Sequence, residues 1–392
     1  MTDGAASRSE ALREIARLFL RLGTTAFGGP AAHVAMMEEE VVRRRGWVSR
    51  QEFLDLLGAA NLIPGPNSTE LAIHLGHRRA GWPGLLVAGS CFIAPAALLT
   101  GALAAAYVRW GALPPVQGLL YGAKPVVLAV VAQALVGLAR TALRDRLSVV
   151  SGAVAVLASA AGLHELAVLL GCGLATASLR VGPRPGARGD ARAAALALPA
   201  ALPTGAGATG AAAAAATPFG LGPLFLCFVK VGAVLFGSGY VLLAFLRADL
   251  VDRFHWLTEA QLLDAVAAGQ LTPGPVFTTA TFVGYLLGGS AGAAVATLGI
   301  FLPAFVFVAA SGPLVPRIRR SAWAGAFLDG VNVASLALMA VVTALLARTA
   351  VVDLPTLVLA TGSAYALLRH RLGSVRLVLG GALTGLAVHV LR

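Results

Sequence analysis

The sequence predicts an all-α polytopic membrane protein of two inverted-topology repeats, each with a re-entrant helix pair broken at Pro-Gly-Pro and about ten crossings in total. Three observations carry this expectation. Hydrophobic residues make up 58% of the chain against 12% charged, and mean hydropathy is +0.81. An ordinary soluble domain has about a quarter of its residues charged, so the bilayer is the expected solvent. The segment Asn61-Leu62-Ile63-Pro64-Gly65-Pro66 recurs as Gln270-Leu271-Thr272-Pro273-Gly274-Pro275 at an offset of 209, which also superposes Phe27-Gly28 on Phe236-Gly237, Trp47 on Trp256 and Asp55 on Asp264. Equivalent loops of the two copies carry opposite basic bias.

In chain order, the first copy has apolar runs near 12–29, 51–63, 66–77, 84–108, 118–139, 147–161 and 164–179. The second has runs near 219–239, 275–289, 291–312, 325–347, 353–368 and 375–391. Runs 84–108, 118–139, 219–239, 291–312 and 325–347 approach the spanning length of about 20 residues; the others are shorter or interrupted. After one deleted position the offset becomes 208, pairing Pro95 with Pro303, Gly122 with Gly330 and Asp145 with Asp353. The expected division is therefore 1–180 for the first repeat, 181–217 for a Gly/Pro/Ala-rich cytoplasmic linker, and 218–392 for the second repeat.

Basic charge sets the expected orientation. Arg78-Arg79 matches an uncharged loop near 287–291, and Arg140, Arg144 and Arg146 match a loop holding only Arg348. The bias then reverses: Arg317, Arg319 and Arg320 match Arg109 alone, while Arg369, Arg371 and Arg376 match the turn at His164, which has no Lys or Arg. Copies inserted in opposite orientations produce this signature. An odd number of crossings per copy follows, with a cytoplasmic linker and an outside C-terminus. Arg13, Arg17 and Arg21 at i, i+4 spacing leave open whether the first helix crosses or lies in the interface.

The net charge of +12 lies in short loops and argues against nucleic-acid binding. Residues 1–11 are polar and no signal-peptide pattern follows. Cys91, Cys172 and Cys227 sit singly in apolar runs, and His33, His74, His77, His255 and His164-Glu165 lack metal spacing, so neither a metal nor another cofactor is implied.

A Pro-Gly-Pro break in hydrocarbon is tolerated only where protein or a water-filled cavity covers it, so Pro64, Gly65, Pro66 and Pro273, Gly274, Pro275 mark a shared site. Beyond the first break, Asn67, Ser68 and Thr69 with the helix N–H groups form a candidate oxyanion site; Thr278 and Thr279 are its counterparts. A bland alternative is that Asn67 caps the helix and Glu70 closes a capping box. Lys230 lies mid-run and superposes on Arg21, and a cation at that depth costs at least about 2.5–3.5 kcal/mol unless paired or wetted. Both are candidate substrate ligands, with snorkelling as the alternative. Lys124, before Pro125, is either a site residue or an anchor. Glu70 and the pair Asp55 and Asp264 are candidate proton-coupling carboxylates, although a solvated helix face explains the pair as well.

These elements together resemble the chromate ion transporter family in its two-domain form. The resemblance rests on Phe27-Gly28-Gly29-Pro30, Met36-Met37-Glu38-Glu39, Asn61 through Glu70, Phe236-Gly237-Ser238-Gly239-Tyr240, Gly269 through Pro275 and Ile300-Phe301-Leu302-Pro303, and covers most of 12–391. It implies a multi-pass plasma-membrane protein (the bacterial inner membrane) moving chromate outward and conferring resistance. Gly28 and Gly29, with Gly237 and Gly239, are the implied points of close packing; Ser238 replaces the second glycine in the second copy. The expected partners are chromate or a sulfate-like oxyanion and the lipid bilayer, with a homodimer allowed. Transport of sulfate or another oxyanion is the runner-up. An intramembrane enzyme needs a nucleophile, metal or carboxylate cluster that the sequence lacks, and a scaffold needs neither paired breaks nor an intramembrane lysine.

Overall fold

The computed structural model describes residues 3–27, 29–181, 219–236, 239–370 and 372–391. Gly28, Gly237, Ser238 and linker residues 182–217 lie outside the described residues. Among the described residues there are fourteen α-helices and no strand. The first copy contains α1 (Asp3–Thr25), α2 (Gly29–Glu38), a π-helical turn (Glu39–Arg44), α3 (Arg50–Ala60), α4 (Asn67–Trp110), α5 (Pro114–Ala142), α6 (Arg146–Ala160) and α7 (Glu165–Val181). The second contains α8 (Leu221–Val234), α9 (Leu242–Leu246), a π-helical turn (Arg247–Arg253), α10 (Glu259–Leu271), α11 (Thr279–Arg320), α12 (Ala322–Ala350), α13 (Leu354–His370) and α14 (Ser374–Leu391).

Local chemistry explains the helix starts. Ser49 accepts the Glu52 N–H at the head of α3, and Thr258 forms a reciprocal capping box with Gln261 at the head of α10. Proline opens α5, where its missing N–H is no loss. Within α4 and α11 the chain reverses at Gly81 (φ 63) and Gly289 (φ 59), a left-handed backbone that glycine enters without a Cβ clash. The flanking segments then fold back side by side. Gly76 lies against Gly84 and Gly284 against Gly292, with no room for a Cβ at any of them.

Inside each copy α1 packs on α4 and α8 packs on α11. The later helices instead cross between copies: α13 and α14 pack on α5, while α6 and α7 pack on α12. Neither copy therefore has a complete core of its own. Among the described residues, five helical spans are long and apolar enough to cross a membrane: Asn67–Trp110, Pro114–Ala142, Val276–Ser311, Ala322–Ala350 and Ser374–Leu391. Helices α6 and α8 are apolar but shorter. Leu98, Leu157, Leu226, Leu298 and Val306 point outward from their helices. Such a surface suits lipid, where helix association relies on close packing of small residues more than on burying apolar area.

Candidate functional site at the paired helix breaks

The two breaks meet across the copies through the backbone. The Gly65 N–H donates to Leu235 O (2.8 Å) at the end of α8, and the Gly274 N–H donates to Ala26 O (2.9 Å) beyond α1. Ala26 and Leu235 are themselves equivalent at the offset of 209, so each break is held by the other copy's first helix. Gly65 (φ 135) and Gly274 (φ 85) take backbone conformations that side chains rarely adopt. Pro66, Asn67 and Ser68 face Pro275, Val276 and Phe277 around a cavity of about 10 Å³, closed here to anything larger than a water. Gly239 packs on Val276 and Phe277 at the same place, and Gly29 (φ 77) opens α2.

The first turn of α4 does not form the capping box that is the alternative to a binding role. Pro66 holds the cap position, and the Asn67 side-chain amide instead donates to Asn61 Oδ1 (2.6 Å). Glu70 is fully buried, its carboxyl lying against Gly65, and neither of its oxygens has a hydrogen-bond partner among the described residues. The Thr69 hydroxyl is likewise buried without a partner. In the second copy the equivalent hydroxyls are committed locally: Thr278 donates to Pro275 O (2.8 Å) and Thr279 to Val276 O (2.9 Å). A Thr100 hydroxyl from α4 lies 3.3 Å from both Thr272 and Thr278.

One buried residue here carried no sequence signal beyond its type. His33 lines the cavity between the breaks, with Nε2 3.1 Å from Ala26 O and Nδ1 3.2 Å from Ser68 Oγ. A carbonyl only accepts, so in the neutral ring Nε2 carries the proton and Ser68 donates to Nδ1. The Ser68 hydroxyl proton is thus already engaged.

The two bases predicted to meet the substrate both have carboxylate partners. Arg21 lies 2.6 Å from Glu40, which also receives Arg44 and Arg45. Lys230 lies 2.6 Å from Asp249 and 3.3 Å from Glu165. Glu40 and Asp249 are equivalent at the same offset of 209 as Arg21 and Lys230, so one ion pair is built twice, each time between the first helix and the π-helical turn. The expected pairing of Asp55 with Asp264 is unequal in space. Asp55 is exposed on α3, whereas Asp264 is buried on α10 with Lys124 Nζ at 3.2 Å and the Tyr107 hydroxyl at 2.9 Å.

Two larger cavities are lined by residues of both copies. The first, of about 660 Å³, reaches from Arg144, Asp145 and Arg180 down to Asn67. Arg180 bridges Asp145 (2.6 Å) of its own copy and Asp329 of the other. The N–H and hydroxyl of Ser148, with Arg180 adding to them, hold the Asp145 carboxyl below its usual range and so keep this bridge charged. The second cavity, of about 330 Å³, is lined by Lys124, Asp264, Tyr107, Tyr121 and Thr349. Chemically, the ensemble offers buried hydroxyls and a helix start at the end of an open approach lined by Arg144, Arg180 and the two aspartates that Arg180 bridges.

The family model described as "Chromate transporter" matches residues 13–177 and again 222–386. The chain is 34% identical over 383 residues to the chromate transport protein of Cupriavidus metallidurans, covering 97% of this chain and 94% of the relative. It is 32% identical to the chromate transport protein of Pseudomonas aeruginosa (94% and 90% covered) and 31% identical to the probable chromate transport protein of Synechococcus elongatus (88% and 87%). No solved structure matches the chain.

Proposed function

The chain belongs to the chromate transporter family, and from that premise we propose that it carries chromate outward across the plasma membrane through the paired helix breaks. The observation that carries this reading is the junction of the two Pro-Gly-Pro segments beside a cavity that holds Arg144 and Arg180 and reaches Asn67. In this mechanism the oxyanion passes Arg144, whose charge offsets part of its own, and Arg180, which it shares with Asp145 and Asp329, and reaches the first turn of α4. There the positive end of the helix dipole and the Thr69 hydroxyl receive it. Ser68 joins them once its hydroxyl turns away from His33 Nδ1.

An inverted arrangement of the copies is supported by the order of contacts along α4 and α11. Gly89 lies against Phe305, whereas further along α4 Gly101 lies against Thr281, which is hydrogen-bonded to Thr297 (2.7 Å). Equivalent segments thus pass each other in opposite chain directions, as copies of opposite orientation do. Because the space between the breaks is closed here, passage needs one copy to move against the other. Arg21 and Lys230 take a framework role in this reading, tying the first helix of each copy to its π-helical turn.

Glu70 is the proposed proton carrier. Its charge has no partner where it lies, so the neutral acid is the cheaper form until water or another group reaches it. Uptake of labelled chromate into everted membrane vesicles tests the whole reading. Accumulation above that of vesicles lacking the chain, reduced by excess sulfate if both tetrahedral dianions share the site, is the expected result. No chromate accumulation overturns it.

A further inference from the structure

The smaller cavity repeats the larger one in the other copy. At the offset of 208, Thr349, Ala350 and Val352 of the second cavity correspond to Thr141, Ala142 and Arg144 of the first, and Tyr121 and Lys124 correspond to Asp329 and Asn332. Each cavity is built from the turn that ends the long helix of one copy and the side of that same helix in the other. Their cations differ in origin. Where the first has Arg144 the second has Val352, and the position equivalent to Arg180 is Val388. The second cavity has its base at another point of the wall, with Lys124 standing where the first has Asn332. A base is thus present in both although no basic position is shared.

Lys124 is 19% exposed in the middle of α5, with Asp264 held from its other side by the Tyr107 hydroxyl. Asp264 lies on α10, the helix that leads into the second break. We infer that the cavity around Lys124 is a second oxyanion site at the opposite end of the path, with Lys124 as its cation and Asp264 as the internal carboxylate that the anion displaces. This rests on the reading that the chain carries an oxyanion.

The competing role for Lys124 is to neutralise Asp264 and nothing more. The double variant Lys124→Gln/Asp264→Asn separates the two, because it removes both charges at once and leaves no stranded buried carboxylate. The experiment measures equilibrium binding of radiolabelled chromate to the full chain in lipid nanodiscs, for the parent, Asp264→Asn and the double variant. Asp264→Asn is expected to bind at least as tightly as the parent, since the competitor for Lys124 is gone. The double variant is expected to lose the binding component that Asp264→Asn keeps at this site, at least tenfold in affinity, while the site at the first turn of α4 still binds. Equal binding by the two variants overturns the inference, whereas a parent protein that neither binds nor accumulates chromate overturns the transport reading itself.

Discussion

Replacing Lys230 and Arg21 in turn by methionine tests the claim that equivalent bases, each in an ion pair, carry unequal weight. Asp249 is 1% exposed and Glu165 8%, and Lys230 is the cation within ion-pair distance of both. Lys230→Met leaves two carboxylates buried side by side, Glu165 with His164 at 3.6 Å and Asp249 without its lysine. Breaking a buried pair in this way costs about 3–5 kcal/mol, most of it the penalty of the stranded charge. Arg21 is half exposed, and after Arg21→Met the Glu40 carboxylate keeps Arg44 at 3.2 Å and Arg45 at 3.4 Å. With partners to spare and water nearby, the expected loss is about 0–1 kcal/mol. Denaturant unfolding of the purified variants in one detergent supplies the comparison. Lys230→Met/Asp249→Asn should recover part of the loss, since one of the two stranded charges has gone. Equal destabilisation by the two single variants, or a Lys230→Met cost below about 1 kcal/mol, would refute the argument. Loss of chromate uptake in Arg21→Met at parental stability would return that residue to the substrate path.

Thr69→Val removes a buried hydroxyl that has no partner in the closed state, so stability should hold while the KM for chromate rises about tenfold or more, as expected for losing one hydrogen bond to a charged group; an unchanged KM excludes Thr69 as a ligand. Glu70→Gln should retain chromate binding but flatten the pH dependence of uptake, and a profile matching the parent's removes Glu70 from proton coupling. Cysteines introduced at the exposed positions Arg79 and Ser290 should react with an impermeant thiol reagent from opposite faces of the membrane; reaction from one face contradicts inverted copies. Gly122→Ala places a methyl group against the Gly381 carbonyl and the Gly385 backbone, an overpacking expected to cost about 1–3 kcal/mol in thermal unfolding, and a neutral result would show that α14 yields easily.

The membrane character, the duplication and the position of both breaks are written in the sequence, because composition, offset and Pro-Gly-Pro are local properties of the chain. Even the twin ion pairs leave a trace, since Glu40 and Asp249 share the offset of Arg21 and Lys230. Their contact is not legible, because acid and base are separated by a helix end, a loop and a π-helical turn whose angles no periodicity gives. For the same reason the equal spacing of Asp55 and Asp264 suggests a matched pair, while packing exposes one and buries the other against Lys124. The bond between His33 and Ser68, the crossing of α13 and α14 onto α5, and the tie from each break, through Gly65 or Gly274, to the end of the other copy's first helix belong to tertiary structure alone. A sequence specifies which face of each helix is small or apolar; which partner fills that face is decided only when all the helices compete for contacts at once.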